Sequence, residues 1–259
     1  MGRFHRHDDG TVHTHDHAEH PHEHHDHGDH SGYETGSQRI DVLESIFAEN
    51  DVRADYNRKA FESNGVRALN LMSSPGSGKT TVLGATLDEL AGEFAVGVIE
   101  GDIATDLDAA KLGGRGAQIS LLNTGNGFGG ECHLDAPMVN RALQGLDLAP
   151  LDLVIIENVG NLVCPAEFDV GEHAKAMVYS VTEGDDKPLK YPVMFRAVDV
   201  VLLNKIDLVP YLDVDVDSYM ARVREVNPSA TILPVSARTG AGMSAWFGWL
   251  RRFIADPTT

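Results

Sequence analysis

Cysteine, basic charge and long apolar runs are all scarce in this chain of 259 residues. Two cysteines cannot build a disulfide framework. The longest apolar runs, LDLVIIE and DVVLLN, are far too short to cross a bilayer. The N-terminal residues contain no apolar core of a secretory signal, so we expect a cytoplasmic protein in a reducing compartment, without a membrane partner.

Basic residues are outnumbered by acidic ones, 21 to 39, and the formal net charge is -18 with histidine neutral. A surface of this sign repels the phosphates of DNA and RNA. We therefore expect no nucleic acid partner.

Residues 1–35 differ in composition from the rest of the chain, because eleven of the thirteen histidines lie there, interleaved with Asp and Glu. With few apolar residues to bury, this tail is predicted to be disordered without a ligand. A cloning tag is the alternative, but alternation with acids raises the imidazole pKa and adds carboxylate ligands, which favours metal storage. The predicted nickel ligands of the tail are His13, His15, His17, His20, His22, His24, His25, His27 and His30.

Residues 36–65 are predicted to form one or two amphipathic helices that lead into a larger domain at 66–259. Within that domain short apolar runs alternate with helical patterns, which is typical of a parallel sheet covered on both faces. The fold class is therefore α/β, with a mostly parallel sheet of roughly seven strands. The predicted strands are 68–72, 95–100, 118–122, 152–157, 176–181, 199–204 and 231–235, and the predicted helices are 79–91, 135–146, 215–226 and 242–254.

A phosphate-binding loop is indicated by SSPGSGKTT at 73–81, which joins an apolar strand to a helix. Backbone N–H groups in this loop are expected to surround the β-phosphate, Lys79 to reach the β and γ oxygens, and the Thr80 hydroxyl to bind Mg²⁺. Ser73 stands where the general pattern has its first glycine. The predicted nucleotide contacts here are Gly76, Ser77, Gly78, Lys79, Thr80 and Thr81.

Guanine selection is predicted at NKID, 204–207, after another apolar strand. The Asp207 carboxylate can accept two parallel hydrogen bonds from guanine N1–H and its exocyclic amine, which adenine cannot donate as a pair. Asn204 and Lys205 are expected to hold the loop and cover the base. SAR, comprising Ser236, Ala237 and Arg238, fits a second base loop.

Two acidic strand ends should face the phosphates, since ligands of open parallel sheets bind at the carboxyl ends of strands. Asp102 and Glu157 are predicted Mg²⁺ ligands, directly or through water. Asp106 is predicted to orient the attacking water, with helix capping as the alternative for Asp106 and Asp108.

A thiol and an imidazole lie in tandem at Cys132 and His133, and the other thiol, Cys164, follows ENVG at 157–160. Both segments are expected near the nucleotide. Thiolate and imidazole suit Ni²⁺ and Zn²⁺, and three ligands leave a position for a further ligand or for a partner across a dimer.

Together these residues resemble the hydrogenase nickel-incorporation GTPases of the HypB family, over roughly residues 40–255. The motifs that carry the resemblance are LNLMSSPGSGKTT, EGDIATDLDAAKL, ECHLDAPMV, ENVGNLVCPAEFDVGE, NKIDL and VSARTG.

The resemblance implies a dimerising P-loop GTPase with slow turnover that works with the metallochaperone HypA and delivers Ni²⁺ to the large subunit of [NiFe]-hydrogenase. It assigns phosphate and Mg²⁺ to Lys79 and Thr80, guanine to Asp207, and metal to Cys132, His133 and Cys164. The Ser73 departure is usual in the family, and the histidine tail is similar to that of members whose tail stores several nickel ions.

Three other functions fit parts of this sequence. A urease-accessory GTPase shares the chemistry but carries a compact Cys-Pro-His motif, whereas here Cys132 and His133 are separate from Cys164 and Pro165. A metal-storage protein with a degenerate nucleotide site and an ATP-using kinase are the other two.

Overall fold

A computed structural model describes residues 5–6, 12–13, 35–101, 112–122 and 133–256. Contacts divide the chain into one unit at Met1–Val42 and a second at Leu43–Thr259. In the first unit, two short strands, β1 (His5–Arg6) and β2 (Val12–His13), pair antiparallel. Among the predicted site residues, Asp102, Asp106, Cys132 and the tail histidines from His15 to His30 lie outside the described residues.

The second unit is built on a seven-stranded sheet in which every neighbouring pair is parallel. The strand order is β5-β4-β6-β3-β7-β8-β9. All seven predicted strands are present, and the α/β fold class is confirmed. Their bounds are β3 (Arg67–Ser73), β4 (Val96–Glu100), β5 (Gln118–Leu121), β6 (Leu153–Gly160), β7 (Ala174–Ser180), β8 (Val200–Asn204) and β9 (Thr231–Pro234).

Helices cover both faces of this sheet, as its nearly continuous apolar strands require. One long helix lies where one or two were predicted for 36–65. The four predicted helices of the larger domain are present within a few residues of their expected ends. Two short helices at 187–196 were not predicted. The bounds are α1 (Thr35–Ser63), α2 (Lys79–Leu90), α3 (Ala136–Leu143), α4 (Lys187–Lys190), α5 (Pro192–Arg196), α6 (Val216–Val226) and α7 (Met243–Ala255).

The core has two layers, one on each face of the sheet. On one face, α2 and α7 pack against the odd-numbered residues of β6, such as Leu153 and Ile155. On the other face, α1 and α3 pack against Val154 and Ile156, and α5 and α6 cover β7 and β8. Successive side chains of β6 therefore point to different layers.

No helix among the described residues is both long enough and apolar enough to cross a membrane.

Candidate functional site

The loop between β3 and α2 has the backbone that a phosphate site requires. Gly76 and Gly78 both have positive φ values, 75° and 100°. Glycine is also required sterically at position 78, because a Cβ there would lie 2.5 Å from Asn204 Nδ2. The loop ends at the N-terminus of α2, where unpaired N–H groups and the helix dipole favour an anion.

Lys79 and Glu157 form a buried ion pair where this loop meets β6. Lys79 Nζ lies 2.7 Å from Glu157 Oε1, and Thr80 Oγ1 lies 3.0 Å from the same oxygen. The other carboxylate oxygen, Oε2, is buried and has no hydrogen-bond partner among the described residues. A hydroxyl and a carboxylate with a spare oxygen are hard oxygen donors, so these residues fit a Mg²⁺ ion.

The predicted base loop is attached directly to the phosphate loop. Asn204 donates from Nδ2 to the carbonyl of Ser77 over 2.9 Å, and its Oδ1 accepts from Ala237 N–H over 3.1 Å. Lys205 adopts a left-handed conformation with φ of 65°, and its Nζ lies 2.6 Å from the carbonyl of Gly76. A nucleotide bound to one loop is therefore in reach of the other.

Asp207 is the second residue of the short helical turn Ile206–Tyr211 that follows β8, and the Ser236 hydroxyl donates to its Oδ1 over 2.6 Å. Ser236 is buried and also accepts from Thr239 N–H. The contact orients the carboxylate and brings the Ser236–Arg238 segment beside the NKID loop. A cavity of about 390 Å³ next to it is lined by Thr80, Thr81, Gly84, Ala85, Asp88, Leu112, Arg115 and Ala237.

Of the three predicted ligands of the nickel site, the structure describes His133 and the backbone of Cys164. The His133 ring stacks on Phe168 with 4.1 Å between ring centroids. Phe168 comes four residues after Cys164, whose backbone lies in the short helical turn Cys164–Ala166 just beyond β6. Cys132 lies outside the described residues. Among the residues that the structure describes, no group of three or more His, Cys, Asp or Glu side chains is arranged to hold a metal.

A buried polar network, which the sequence reasoning missed, crosses the sheet behind this site. Asn158 Oδ1 accepts from Leu134 N–H over 3.1 Å, and Asn158 Nδ2 donates to Asn70 Oδ1 over 3.2 Å. Asn70 in turn donates to Glu172 Oε1 over 3.2 Å. Burial raises the pKa of Glu172, while Lys175, 3.3 Å away, opposes that shift. The one sequence signal of this network is Asn70, a polar residue within the apolar run LNLM.

A second missed contact joins the phosphate loop to the end of β7. The Ser74 hydroxyl is hydrogen-bonded to Glu183, and Glu183 also accepts from Ser180 N–H over 2.9 Å in a capping box. The S-x-x-E spacing at 180–183 is the sequence signature of such a box. The loop is thus fixed from the β7 side as well as from the β8 side.

Comparison with known proteins identifies the same domain. Residues 67–234 match the family model of the CobW/HypB/UreG nucleotide-binding domain. The chain is 50% identical to hydrogenase maturation factor HypB of Azotobacter chroococcum mcd 1 over 216 residues, which are 83% of this chain and 70% of that protein. It is also 50% identical to HypB of Escherichia coli (strain K12) over 211 residues, 82% of this chain and 70% of that protein.

Solved structures agree with this assignment. HypB from Archaeoglobus fulgidus superposes with a TM-score of 0.74 at 37% identity, covering 80% of this chain and 99% of that one. HypB from Helicobacter pylori in complex with nickel gives the same TM-score at 36% identity, covering 80% of this chain and 95% of that one. The motifs, the fold and these relatives together show that the chain belongs to the HypB family of hydrogenase maturation factors.

Proposed function

We propose that this protein is a GTP-hydrolysing nickel metallochaperone that delivers Ni²⁺ to the large subunit of [NiFe]-hydrogenase. One observation carries the proposal: the buried Glu157 carboxylate joins Lys79 and Thr80 of the phosphate loop, and β6 runs on from Glu157 toward Cys164. Glu157, which contacts two residues of the phosphate loop, is therefore seven positions from the candidate metal ligand Cys164. This arrangement supports a GTPase that regulates a metal site.

GTP binding uses the two loops that are already attached to each other. Backbone N–H groups of the phosphate loop and the Lys79 ammonium bind the β and γ oxygens, while Asp207 selects guanine. Thr80 and Glu157, with Asp102, hold the magnesium ion, which when bound neutralises charge on the β and γ phosphates. The spare oxygen of Glu157 supports this assignment.

Hydrolysis requires Lys79 to leave its carboxylate partner for the γ-phosphate. Asp106 orients the attacking water. Turnover is expected to be slow, because the sequence identifies no arginine finger to supply a further positive charge. The γ-phosphate thus provides the contact that distinguishes the GTP state from the GDP state.

Nickel is the cargo, and Zn²⁺ can occupy the same ligands. Cys132, His133 and Cys164 bind it, with a homodimer favoured by GTP and metal. The contact between His133 and Phe168 supports this grouping, since it brings the imidazole near the Cys164 turn. The metallochaperone HypA is the partner, and the histidine tail stores further nickel. The protein works in the cytoplasm, a reducing compartment that suits a chain with two cysteines and no disulfide framework.

A wider role in nickel delivery is favoured by one relative. A protein of Helicobacter hepaticus, 43% identical over 66% of this chain, is named hydrogenase/urease maturation factor HypB. Urease maturation is therefore the second candidate function. Deleting the protein from its host and measuring both enzyme activities, with and without added nickel, separates the two roles.

The decisive experiment measures phosphate release by the full-length chain with GTP and with ATP, beside the Lys79→Ala variant. We expect Lys79-dependent turnover with GTP that ATP neither supports nor inhibits. Nickel-loaded protein is then incubated with the apo large subunit to test GTP-dependent transfer. Turnover that does not depend on Lys79 would instead indicate a storage protein whose nucleotide site is degenerate.

A further inference from the structure

The Asn158 side chain occupies an unusual position, because it is fully buried and hydrogen-bonded on two sides. Its Oδ1 accepts from Leu134 N–H over 3.1 Å and from Val159 N–H over 2.9 Å. Its Nδ2 donates to Asn70 Oδ1 over 3.2 Å. The amide therefore fixes the segment after His133 to the centre of the sheet.

Glu157 and Asn158 are neighbours in β6 but face opposite layers of the domain. Glu157 follows Leu153 and Ile155 on the α2 face, where it contacts Lys79 and Thr80. Asn158 points to the α1 and α3 face. One rigid peptide plane joins the two residues, so a rotation of that plane moves the backbone of both.

The strand is also irregular at this point. Between Leu71 and Ser73, β3 advances by two residues while β6 advances by three, from Glu157 to Gly160. The extra residue falls at the 158–159 step, as in a β-bulge. Bulges redirect side chains and interrupt the ladder, so regular ladder hydrogen bonds hold this part of β6 less completely than its neighbours.

Leu134 connects the amide to two further segments. Its side chain lies over Gly101, where a Cβ would come within 2.4 Å of Leu134 Cδ1. Gly101 N–H donates to the carbonyl of Glu157 over 2.9 Å. On the other side, Leu134 follows His133, whose ring rests on Phe168. Because His133 and Leu134 are adjacent, a displacement of Leu134 also moves the backbone that carries the His133 imidazole.

We propose that Asn158 is the positioning residue through which the nucleotide state changes the geometry of His133. When the γ-phosphate of GTP draws Lys79 farther from Glu157 than the β-phosphate of GDP does, the end of β6 adjusts, and the Asn158 amide moves Leu134 with it. The link is stiff because Leu134 N–H is buried and would lose its acceptor if it stayed behind. This inference rests on the proposed function, in which GTP and nickel occupy neighbouring sites.

The test measures nickel affinity of the full-length chain from the thiolate-to-nickel charge-transfer absorption, with GDP and with a non-hydrolysable GTP analogue. Both cysteines lie outside the histidine tail, so the tail does not contribute to this band. We expect the two affinities of the wild type to differ by roughly 5–150-fold, the usual range of coupling between sites. In Asn158→Ala the ratio should fall to about one.

Asn140→Ala is the matched control, because Asn140 Nδ2 also donates to another asparagine, Asn57, over 2.9 Å on the same face. It should keep the wild-type ratio. Each ratio compares a variant with itself, so a uniform loss of metal affinity cancels, whereas a loss of folding is detected as a loss of nucleotide binding by the same variant. A wild-type ratio that survives in Asn158→Ala would overturn the role of Asn158 while leaving the nickel GTPase intact.

A second measurement needs no variant. Amide hydrogen exchange at Leu134 in the wild type should stay equally slow in the GDP and GTP-analogue states, because Leu134 moves together with its acceptor. Loss of protection in either state, in a protein whose nickel affinity does depend on nucleotide, would contradict the inference. A wild type with no nucleotide dependence of nickel affinity would overturn the proposed function and this inference together.

Discussion

The buried pair of Lys79 and Glu157 gives the most quantitative prediction. Their side chains are 4% and 1% exposed and lie 2.7 Å apart. Removing one partner of such a buried pair costs roughly 3–5 kcal/mol. Lys79→Met and Glu157→Gln should therefore each lower the free energy of unfolding by that amount in the absence of nucleotide and Mg²⁺.

The double variant distinguishes a coupled pair from two independent effects. Because the second substitution removes the other member of the same pair, the double variant should be no less stable than either single variant. The coupling energy is then at least about 3 kcal/mol. Urea unfolding of the four proteins measures the coupling energy, since a loss of about 3 kcal/mol in unfolding free energy shifts the urea midpoint by about 2 M at a typical m-value.

A surface pair provides the control for this cycle. Arg222 and Glu225 lie 3.2 Å apart with side chains 47% and 56% exposed. Arg222→Met, Glu225→Gln and their combination should change stability by roughly 0–1 kcal/mol, with little coupling. If the effects at positions 79 and 157 simply added, or matched those of the surface pair, the ion pair would not be the buried energetic link described here.

Three further predictions concern the base, the tail and pH. Asp207→Asn should weaken GTP binding by roughly two to four orders of magnitude and favour xanthosine triphosphate, which presents the complementary acceptor; competition between the two nucleotides measures this. Removing residues 1–35 should abolish most nickel binding seen by equilibrium dialysis but leave GTP turnover and the thiolate–nickel band intact; loss of turnover would contradict a storage role. Burial, Arg67 and Arg58 hold the pKa of His173 below its usual value. The unfolded chain therefore takes up a proton near roughly pH 6.5 before the folded one does, so stability falls as pH drops below that value. His173→Asn should flatten this part of the profile of unfolding free energy against pH, and an unchanged slope would refute the assignment.

The strands were predictable because they are nearly continuous apolar runs, a pattern that burial on both faces of a parallel sheet requires. The end of β6 was not. Its apolar run stops before Glu157, yet pairing with β3 carries the strand on to Gly160 through an irregular register. Helices α4 and α5 were missed because four or five residues are too few to show a helical period.

The nucleotide motifs could be recognised because they are contiguous and have a fixed order along the chain, and the roles assigned to their residues stay predictions. Contacts between distant residues were not. The Asn158–Asn70 and Asn70–Glu172 hydrogen bonds join residues 88 and 102 positions apart. Neither periodicity nor local propensity records such pairings, since they depend on which strands become neighbours in the sheet.

In the proposed function, the ion pair links the bound nucleotide to the end of β6. Lys79 can leave a buried carboxylate only if another anion receives it; the β-phosphate is present in both nucleotides, and GTP adds the oxygens of the γ-phosphate. Moving a two-state element from one percent to ninety-nine percent occupancy needs about 5.5 kcal/mol of differential binding. Breaking a buried ion pair without replacing the lost partner costs roughly 3–5 kcal/mol, which is an upper limit for an exchange in which phosphate takes the place of Glu157. In the proposed switch, the exchange of partners at Glu157 therefore supplies only part of that difference, and the other contacts of the γ-phosphate with the loop must supply the rest.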